Sequence, residues 1–287
     1  MKLALGTAQF GSDYGIASAS GRPSTNDIRG ILRLARQSGI DTLDTAAAYG
    51  NSEEVLGNVG VSNWRIVTKV PKYSLQPENI RSWLMGYVKN SLEMLKVDNI
   101  SGLLLHDASA LLKPGGFELV QALLEVKETG LVNNIGYSIY SPEDLPSLLE
   151  VLCPDLIQVP LNIFDQRITA TGWLGRLVSE GIEVHARSIF LQGLLLMEPN
   201  SRPSYFGGWA HLFGVWDRLI DRLGVSRTAA CIGFINQHAD ISQAIVGIDN
   251  INQLEKILDA ARQPVVIDVD GICSDDSGLI DPFNWEI

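Results

Sequence analysis

The chain has 287 residues, of which 46% are hydrophobic and 19% are charged, so it is long enough to bury a large core. Its formal net charge of -11 at pH 7 argues against a nucleic acid or an anionic membrane surface as partner, because both require a basic face. The three cysteines are widely spaced, which predicts no metal site. The N-terminal segment MKLALGTAQFG is too short and Gly-rich for a signal peptide, and the sequence predicts no membrane span. Together these features predict a cytoplasmic protein.

Short apolar runs alternate with amphipathic stretches along the chain, and no linker rich in Pro, Gly or Ser divides it, which predicts one domain over residues 1–287. The apolar runs predict eight strands, at 2–6, 42–44, 65–70, 102–105, 134–137, 156–159, 183–186 and 243–246. The amphipathic patterns predict helices near 25–38, 52–58, 77–95, 115–128, 142–151, 169–180, 226–237 and 251–261, with an additional helix near 208–223.

Several predicted strands are continuous apolar runs, and the regular alternation of strands and helices predicts a parallel sheet. Eight such units favour a closed (β/α)8 TIM barrel. The phrases SGIDTLD, TGLVNNIG and EGIEVHA support the barrel, because each places a glycine between a helix and the next strand. A doubly wound open sheet is the alternative, but GTAQFG follows the first strand where that fold carries GxGxxG.

Polar residues stand at the C-terminal ends of three consecutive predicted strands, where a barrel of this kind carries its reacting groups. Asp44 ends the second strand, and Tyr49 follows it in the next loop. Lys69 ends the third strand and His106 the fourth. Each residue alone has an ordinary structural explanation, but an ammonium against the barrel interior requires a carboxylate partner, for which Asp44 is the candidate.

Together these four residues suit the reduction of a carbonyl group. The ammonium of Lys69 would stabilise the phenolate of Tyr49 and so make this weak acid a better proton donor. Asp44 would hold the lysine, and His106 would donate a hydrogen bond to the carbonyl oxygen. The pattern contains no nucleophile with its own base, which argues against acyl transfer. Hydride transfer then requires a cofactor.

The sequence around these residues resembles the aldo-keto reductase superfamily. The similar segments are GTAQFG at 6–11, DTAAAYGNSEEVLG at 44–57, VTKV at 67–70 and LLLHD at 103–107. The resemblance implies a catalytic tetrad with tyrosine as general acid, formed by Asp44, Tyr49, Lys69 and His106. It also implies an NAD(P)(H) cofactor and a small-molecule carbonyl substrate, sugar-like compounds included.

The resemblance also assigns residues on several strands to the cofactor. The nicotinamide carboxamide would bind at Ser138 and Gln158. Ile139 stands where the family usually has Asn, and Arg187 replaces an aromatic residue that stacks on the nicotinamide, although an arginine plane can also stack. The remaining assigned positions are Gly6, Thr7 and Asp44 near the first strands, and Ser188, Gln192 and Gly193 in the loop that grips the pyrophosphate.

The segment AIVGIDNINQLEKIL at 244–258 resembles the eighth strand and the following helix, where the adenosine phosphate binds. Family members that prefer NADP carry basic and hydroxyl residues there, whereas this chain has Gly247, Ile248, Asp249 and Gln253. A carboxylate repels a 2′-phosphate but accepts a hydrogen bond from a free ribose hydroxyl, so the sequence favours NAD over NADP. The alternative is that Asp249 is only the helix N-cap.

Loops at the barrel mouth select the substrate in this family. Either the loop at 201–211, with Tyr205 and Trp209, or the C-terminal tail, with Phe283 and Trp285, could cover the site. Because the chain begins almost at the first strand and the tail after 262 is short, we expect little or no N-terminal hairpin cap.

Two other functions remain open at this stage. The first is a regulatory subunit that keeps the fold and cofactor but turns over slowly. The second is a barrel enzyme that uses Lys69 as a Schiff base, which predicts borohydride trapping of substrate and no nicotinamide binding. We expect a monomer or a weak homo-oligomer.

Overall fold

Eight parallel strands close into a barrel in chain order, as the alternation of strands and helices predicted. The computed structural model describes residues 2–12, 15–16, 21–72, 79–262, 265–269 and 271–287. The strands are β1 Lys2–Gly6, β2 Thr42–Asp44, β3 Arg65–Val70, β4 Ile100–Leu105, β5 Val132–Ser138, β6 Leu156–Pro160, β7 Glu183–Arg187 and β8 Gln243–Gly247. β1 pairs with β8, with Gly6 opposite Gly247, so the sheet closes on itself and the open-sheet alternative is wrong.

Two strands begin earlier than the sequence predicted. β4 starts at Ile100 and β5 at Val132, each two residues before the expected position. Polar residues interrupt the apolar pattern there, but they bond to the neighbouring strand. Ser101 Oγ accepts a hydrogen bond from Ile66 N over 3.2 Å, and Asn134 Nδ2 donates to Ser101 O over 3.1 Å. Pairing between strands thus satisfies polar groups that periodicity alone assigns to a loop.

The helices surround the barrel. They are α1 Ala8–Gly11, α2 Thr25–Gln37, α3 Ser52–Val59, α4 Ile80–Leu95, α5 Gly116–Glu128, α6 Leu145–Val151, α7 Arg167–Ala170, α8 Trp173–Ser179, α9 Ala210–Leu223, α10 Arg227–Asn236, α11 Ile251–Arg262 and α12 Ser277–Ile280. The predicted helix at 77–95 is described from Ile80, and its residues 77 and 78 lie outside the described part of the chain. The predicted helix at 169–180 is divided, because Gly172 adopts a left-handed conformation with φ 76° between α7 and α8.

The glycines of the three similar phrases make the turns that the sequence predicted. Gly39, Gly130 and Gly181 have φ angles of 83°, 75° and 81°, which other residues rarely adopt. Each glycine ends a helix and lets the chain reverse into β2, β5 or β7.

Most of the hydrophobic core lies between the barrel and its helices, and a smaller cluster of Val67, Leu104 and Leu156 fills the barrel interior. Among the described helices, none is long and apolar enough to cross a membrane.

Candidate active site

The interior cluster of the barrel supports a polar layer directly above it. Side chains two positions apart on a strand point the same way, and Lys69, His106 and Gln158 each lie two positions after a member of the cluster. They therefore face the mouth at the C-terminal ends of the strands. There they line a cavity of about 490 Å³. Every residue that the sequence assigned to catalysis or to the cofactor lies on the wall of this cavity.

Lys69 and Asp44 form a buried ion pair at the base of the cavity. Lys69 Nζ lies 2.7 Å from Asp44 Oδ1 and 2.8 Å from Asp44 Oδ2, and it donates to Thr45 O over 3.0 Å. Lys69 is 2% exposed and Asp44 4%. A charge this far from water requires a close partner of opposite charge, which each of these side chains provides for the other.

Tyr49 stands beside this ion pair. Its Oη lies 3.5 Å from Lys69 Nζ, and the same ammonium lies 5.1 Å from the centroid of its ring. The loop that carries Tyr49 packs closely against the end of α1. A Cβ added to Gly11 or to Gly50 would overlap the backbone of the other loop, and Gly50 also has a φ of 58°. These two glycines therefore fix where the phenol can lie.

His106 completes the group of four. Its ring meets the ring of Tyr49 edge to face, with centroids 5.7 Å apart. Burial, together with the positive charges of Lys69 and Arg187, lowers the pKa of His106 to about 4, although the negative charges of Asp44 and Asp107 oppose the shift. The imidazole is therefore neutral at pH 7, with one ring N–H available as a donor.

Ser138 and Gln158, which lie opposite each other on β5 and β6, present one donor and one acceptor. Gln158 Nε2 donates to Asp44 Oδ1, and Gln158 Oε1 is buried without a hydrogen-bond partner in the described structure. Ser138 Oγ accepts a hydrogen bond from Arg187 Nε over 3.1 Å, which leaves its hydroxyl proton to be donated. A carboxamide has the complementary pair, a carbonyl oxygen and an NH2 group.

Arg187 lies across the ends of β5 and β7. Besides Ser138, its guanidinium donates to Ile139 O over 2.8 Å and to Ser188 Oγ over 3.2 Å, and it stacks on Tyr140 with 4.4 Å from Cζ to the ring centroid. The Ile139 side chain is buried, and Arg187 fixes the serine beside it.

The loop after β7 has an unusual backbone. Ser188, Leu191 and Gln192 have φ angles of 59°, 48° and 52°, and Gly193 follows at 91°. Such conformations cost roughly 1–3 kcal/mol for each residue that is not glycine, and they cluster where a ligand or a reaction requires them. The loop borders the cavity through Ser188, Gln192 and Gly193.

Asp249 lies at the opposite rim, after β8. The N-cap interaction of α11 comes from Asn250, whose Oδ1 accepts from Gln253 N over 2.9 Å, so the interpretation of Asp249 as the N-cap is wrong. Gln253 holds Asp249 instead, through Gln253 Nε2 to Asp249 Oδ2 at 3.1 Å and Asp249 N to Gln253 Oε1 at 2.8 Å. Asp249 Oδ1 is buried and has no hydrogen-bond partner among the described residues.

The end of the first strand shapes the cavity wall and supports Asp44. Gly6 borders the cavity opposite Gly247, and Thr7 Oγ1 donates to Asp44 O over 3.0 Å. The structure adds Gln9, which the sequence reasoning missed. A Cβ on Gly247 would collide with its amide group, so this glycine leaves the room that Gln9 occupies.

Glu53 is a second residue that the sequence reasoning missed. It is buried on α3, where its carboxylate accepts hydrogen bonds from Thr68 Oγ1 at 2.6 Å and Ser91 Oγ at 3.1 Å. Burial raises its pKa, and the hydrogen bonds from Thr68 and Ser91, followed by the positive charge of Lys69, oppose this shift. Glu53 thereby ties the helix after Tyr49 to the strand of Lys69. Its signal in the sequence is a charged residue on the apolar side of α3.

The tail, rather than the loop at 201–211, lies at the rim of the cavity. Pro282 and Phe283 line it, and Phe283 meets Tyr140 edge to face with centroids 5.4 Å apart. The loop holds the tail from outside: Trp209 Nε1 donates to Asp276 Oδ2 over 3.0 Å, and Tyr205 Oη lies within 3.0 Å of Gly278 O and 3.1 Å of Asn284 O.

Two curated relatives are similar to this chain. Uncharacterized oxidoreductase YqkF of Bacillus subtilis is 28% identical over 216 residues, covering 71% of this chain and 69% of that protein. D-arabinose 1-dehydrogenase of Saccharomyces cerevisiae is 29% identical over 161 residues, covering 53% of this chain and 46% of that protein.

Two solved structures have the same fold. Aldo-keto reductase AKR11C1 of Bacillus halodurans superposes with a TM-score of 0.71 at 19% identity, covering 94% of this chain and 89% of that one. Glycerol dehydrogenase AKR11B4 of Gluconobacter oxydans superposes with a TM-score of 0.71 at 21% identity, covering 98% of this chain and 92% of that one.

A sequence model of the Aldo/keto reductase family matches residues 2–270, which is nearly the whole chain. This match agrees with the closed eight-stranded barrel and with the oxidoreductases among the relatives. The chain therefore belongs to the aldo/keto reductase family of oxidoreductases.

Proposed function

We propose that the protein reduces an aldehyde or ketone with hydride from a nicotinamide cofactor, and that Tyr49 donates the proton. One observation carries this proposal: the phenol of Tyr49 lies 3.5 Å from the buried ammonium of Lys69 on the wall of the cavity at the barrel mouth. A positive charge at this distance stabilises the phenolate that remains after proton transfer.

The four residues have separate roles in the proposed reaction. Neutral His106 donates a hydrogen bond to the carbonyl oxygen and directs it towards Tyr49 Oη. Tyr49 protonates that oxygen as hydride reaches the carbonyl carbon. Lys69 stabilises the phenolate, and Asp44 keeps Lys69 charged and in place.

The residues present fit a nicotinamide cofactor, which supplies the hydride when bound. The donor of Ser138 and the unpartnered acceptor Gln158 Oε1 match a carboxamide, and Asp249 Oδ1 at the other rim is an unpartnered acceptor for a ribose hydroxyl. The positive-φ loop at Ser188, Gln192 and Gly193 lies on the cavity wall, where its backbone amides suit a pyrophosphate.

NAD is the cofactor that we favour over NADP. The carboxylate of Asp249 is held in place by Gln253 and has one oxygen unpaired among the described residues. A 2′-phosphate next to this carboxylate would be repelled, whereas a free 2′-hydroxyl would supply the missing hydrogen bond.

A Schiff-base role for Lys69 fits the geometry less well. An amine must have a free lone pair to attack a carbonyl carbon, whereas Lys69 Nζ donates hydrogen bonds to both oxygens of Asp44 at the base of the cavity. For the substrate, we expect a small sugar-like carbonyl compound first, because one relative is a D-arabinose 1-dehydrogenase.

The substitution Tyr49→Phe tests the proposed role of the tyrosine. We expect turnover of aldehyde by NADH to fall by roughly 10²- to 10⁴-fold, because general acid catalysis contributes about this much. The matched control is Tyr87→Phe on α4, whose ring packs against Trp83 away from the cavity. Undiminished turnover in Tyr49→Phe would remove the tyrosine from its role, and binding of neither NADH nor NADPH would refute the function itself.

A further inference from the structure

Arg187 is a cation that is held in place by uncharged groups of the described residues. Its hydrogen bonds go to the hydroxyls of Ser138 and Ser188 and to the carbonyl of Ile139. Among the described residues, no carboxylate oxygen lies within 4.0 Å of its guanidinium. Arginines elsewhere in the structure, such as Arg167, pair with carboxylates.

The other charges at the catalytic end of the cavity offset one another. Asp44 and Lys69 form an ion pair, and His106 is neutral at pH 7. In the described part of the chain, the remaining charged side chains of the cavity wall are Asp249 and Lys256, which lie at the outer rim on the β8–α11 side. Among the described residues of the cavity wall, Arg187 is therefore the one charge at the catalytic end that no other charge offsets.

This charge lies one hydrogen bond away from Ser138, which is expected to bind the carboxamide of the nicotinamide ring. Arg187 Nε donates to Ser138 Oγ, and Ser138 is one of the two residues that fit the carboxamide. The stack on Tyr140 holds the guanidinium there. Arg187 is partly buried, and a unit charge acts more strongly there than in water.

The two redox forms of the cofactor differ in charge at this position. The dihydropyridine ring of the reduced form is neutral, whereas the pyridinium ring of the oxidised form is a cation. We propose that Arg187 makes the site discriminate between them, so that it binds the reduced form more tightly than the oxidised form; this inference rests on the function proposed above. A site of this kind takes up NADH and releases NAD+ more readily than a site without this charge.

Isothermal titration with NADH and NAD+ tests the inference without measuring activity. Arg187→Gln removes the charge and keeps an amide N–H that can donate to Ser138. Arg187→Lys, by contrast, keeps the charge but lacks the planar guanidinium group. We expect the ratio of Kd for NAD+ to Kd for NADH to fall about tenfold in Arg187→Gln and to stay within about twofold of wild type in Arg187→Lys. If Arg187→Gln does not fold, Arg187→Met takes its place.

Two controls separate charge from structure. ADP-ribose lacks the nicotinamide ring, so its Kd should be the same for wild type and Arg187→Gln. Arg176→Gln, an exposed residue on α8, should leave all three affinities unchanged. An unchanged ratio in Arg187→Gln, or an equal loss of affinity for NADH, NAD+ and ADP-ribose, would overturn the inference. Failure of wild type to bind any of the three would instead refute the proposed function.

Discussion

At the scale of single residues, burial decides what His106 can do. Because its pKa is lowered to about 4, the imidazole stays neutral over the pH range in which most enzymes work. A neutral ring donates one hydrogen bond and adds no third positive charge beside Lys69 and Arg187. The same shift makes the stability of the protein depend on pH.

The pH dependence has a defined sign. In the unfolded chain His106 binds a proton below its ordinary pKa of about 6.5, whereas in the folded chain it does so only near 4. The free energy of unfolding should therefore fall as the pH falls from about 6.5 to 4, by at most about 3 kcal/mol from this residue. Urea unfolding at both ends of this range should show a smaller loss for His106→Gln than for wild type. His211→Gln, which changes an exposed histidine, is the control, and an equal loss in all three proteins would contradict the assignment.

We propose that the single charge of Asp249 controls the choice of dinucleotide. We expect wild type to bind NADH more tightly than NADPH, and Asp249→Asn to reduce that preference about tenfold, since the amide removes the charge and keeps the shape. Fluorescence titration of both nucleotides measures the change. The control is Asp259→Asn, which changes an exposed carboxylate on α11. If wild type bound NADPH more tightly than NADH, the role of Asp249 would be refuted.

At the scale of elements, the tail and the loop before α9 act as a unit. The loop fixes the tail through Tyr205 and Trp209, and the tail brings Phe283 to the cavity rim beside Tyr140. The rim therefore depends on contacts between segments about 70 residues apart in the sequence.

Tyr205→Phe tests this arrangement. Loss of the hydroxyl removes the bonds to Gly278 O and Asn284 O, so we expect a KM for the carbonyl substrate that is several-fold higher, and faster proteolysis of the tail. The Kd of NADH should stay within about twofold, because the assigned cofactor residues lie on other elements. An unchanged KM together with unchanged proteolysis would show that the tail does not shape the substrate site.

The sequence predicted the elements better than the details of the site. Apolar runs and glycine turns identified all eight strands, because barrel strands are buried on both faces and the turns require positive φ. The division of the helix at Gly172 and the early start of β4 at Ile100 depend on backbone geometry and pairing that periodicity does not encode.

Within the site, strand ends indicated Asp44, Lys69 and His106, since position along a barrel strand fixes the direction of a side chain. The partners of Arg187 and Asp249 could not be predicted in this way. They depend on which neighbouring side chain reaches them in three dimensions, as Gln253 does for Asp249.

At the scale of the whole molecule, the net charge of -11 opposes the binding of an anionic dinucleotide. Local groups must therefore attract it, and the cavity offers Arg187, Lys256 and the loop after β7. This distribution fits a protein that is acidic as a whole but places Arg187 and Lys256 on the wall of the cavity at the barrel mouth.

The central claim is that hydride passes from a nicotinamide ring to a carbonyl carbon in this cavity. NADH that carries deuterium at the transferable position, one face at a time, tests it most directly, with mass spectrometry of the alcohol formed from an aldehyde substrate. We expect one of the two labelled cofactors to place deuterium on the alcohol carbon, and Tyr49→Phe to reduce the amount formed. Formation of alcohol whose carbon-bound hydrogen comes from water with both labelled cofactors would contradict the account.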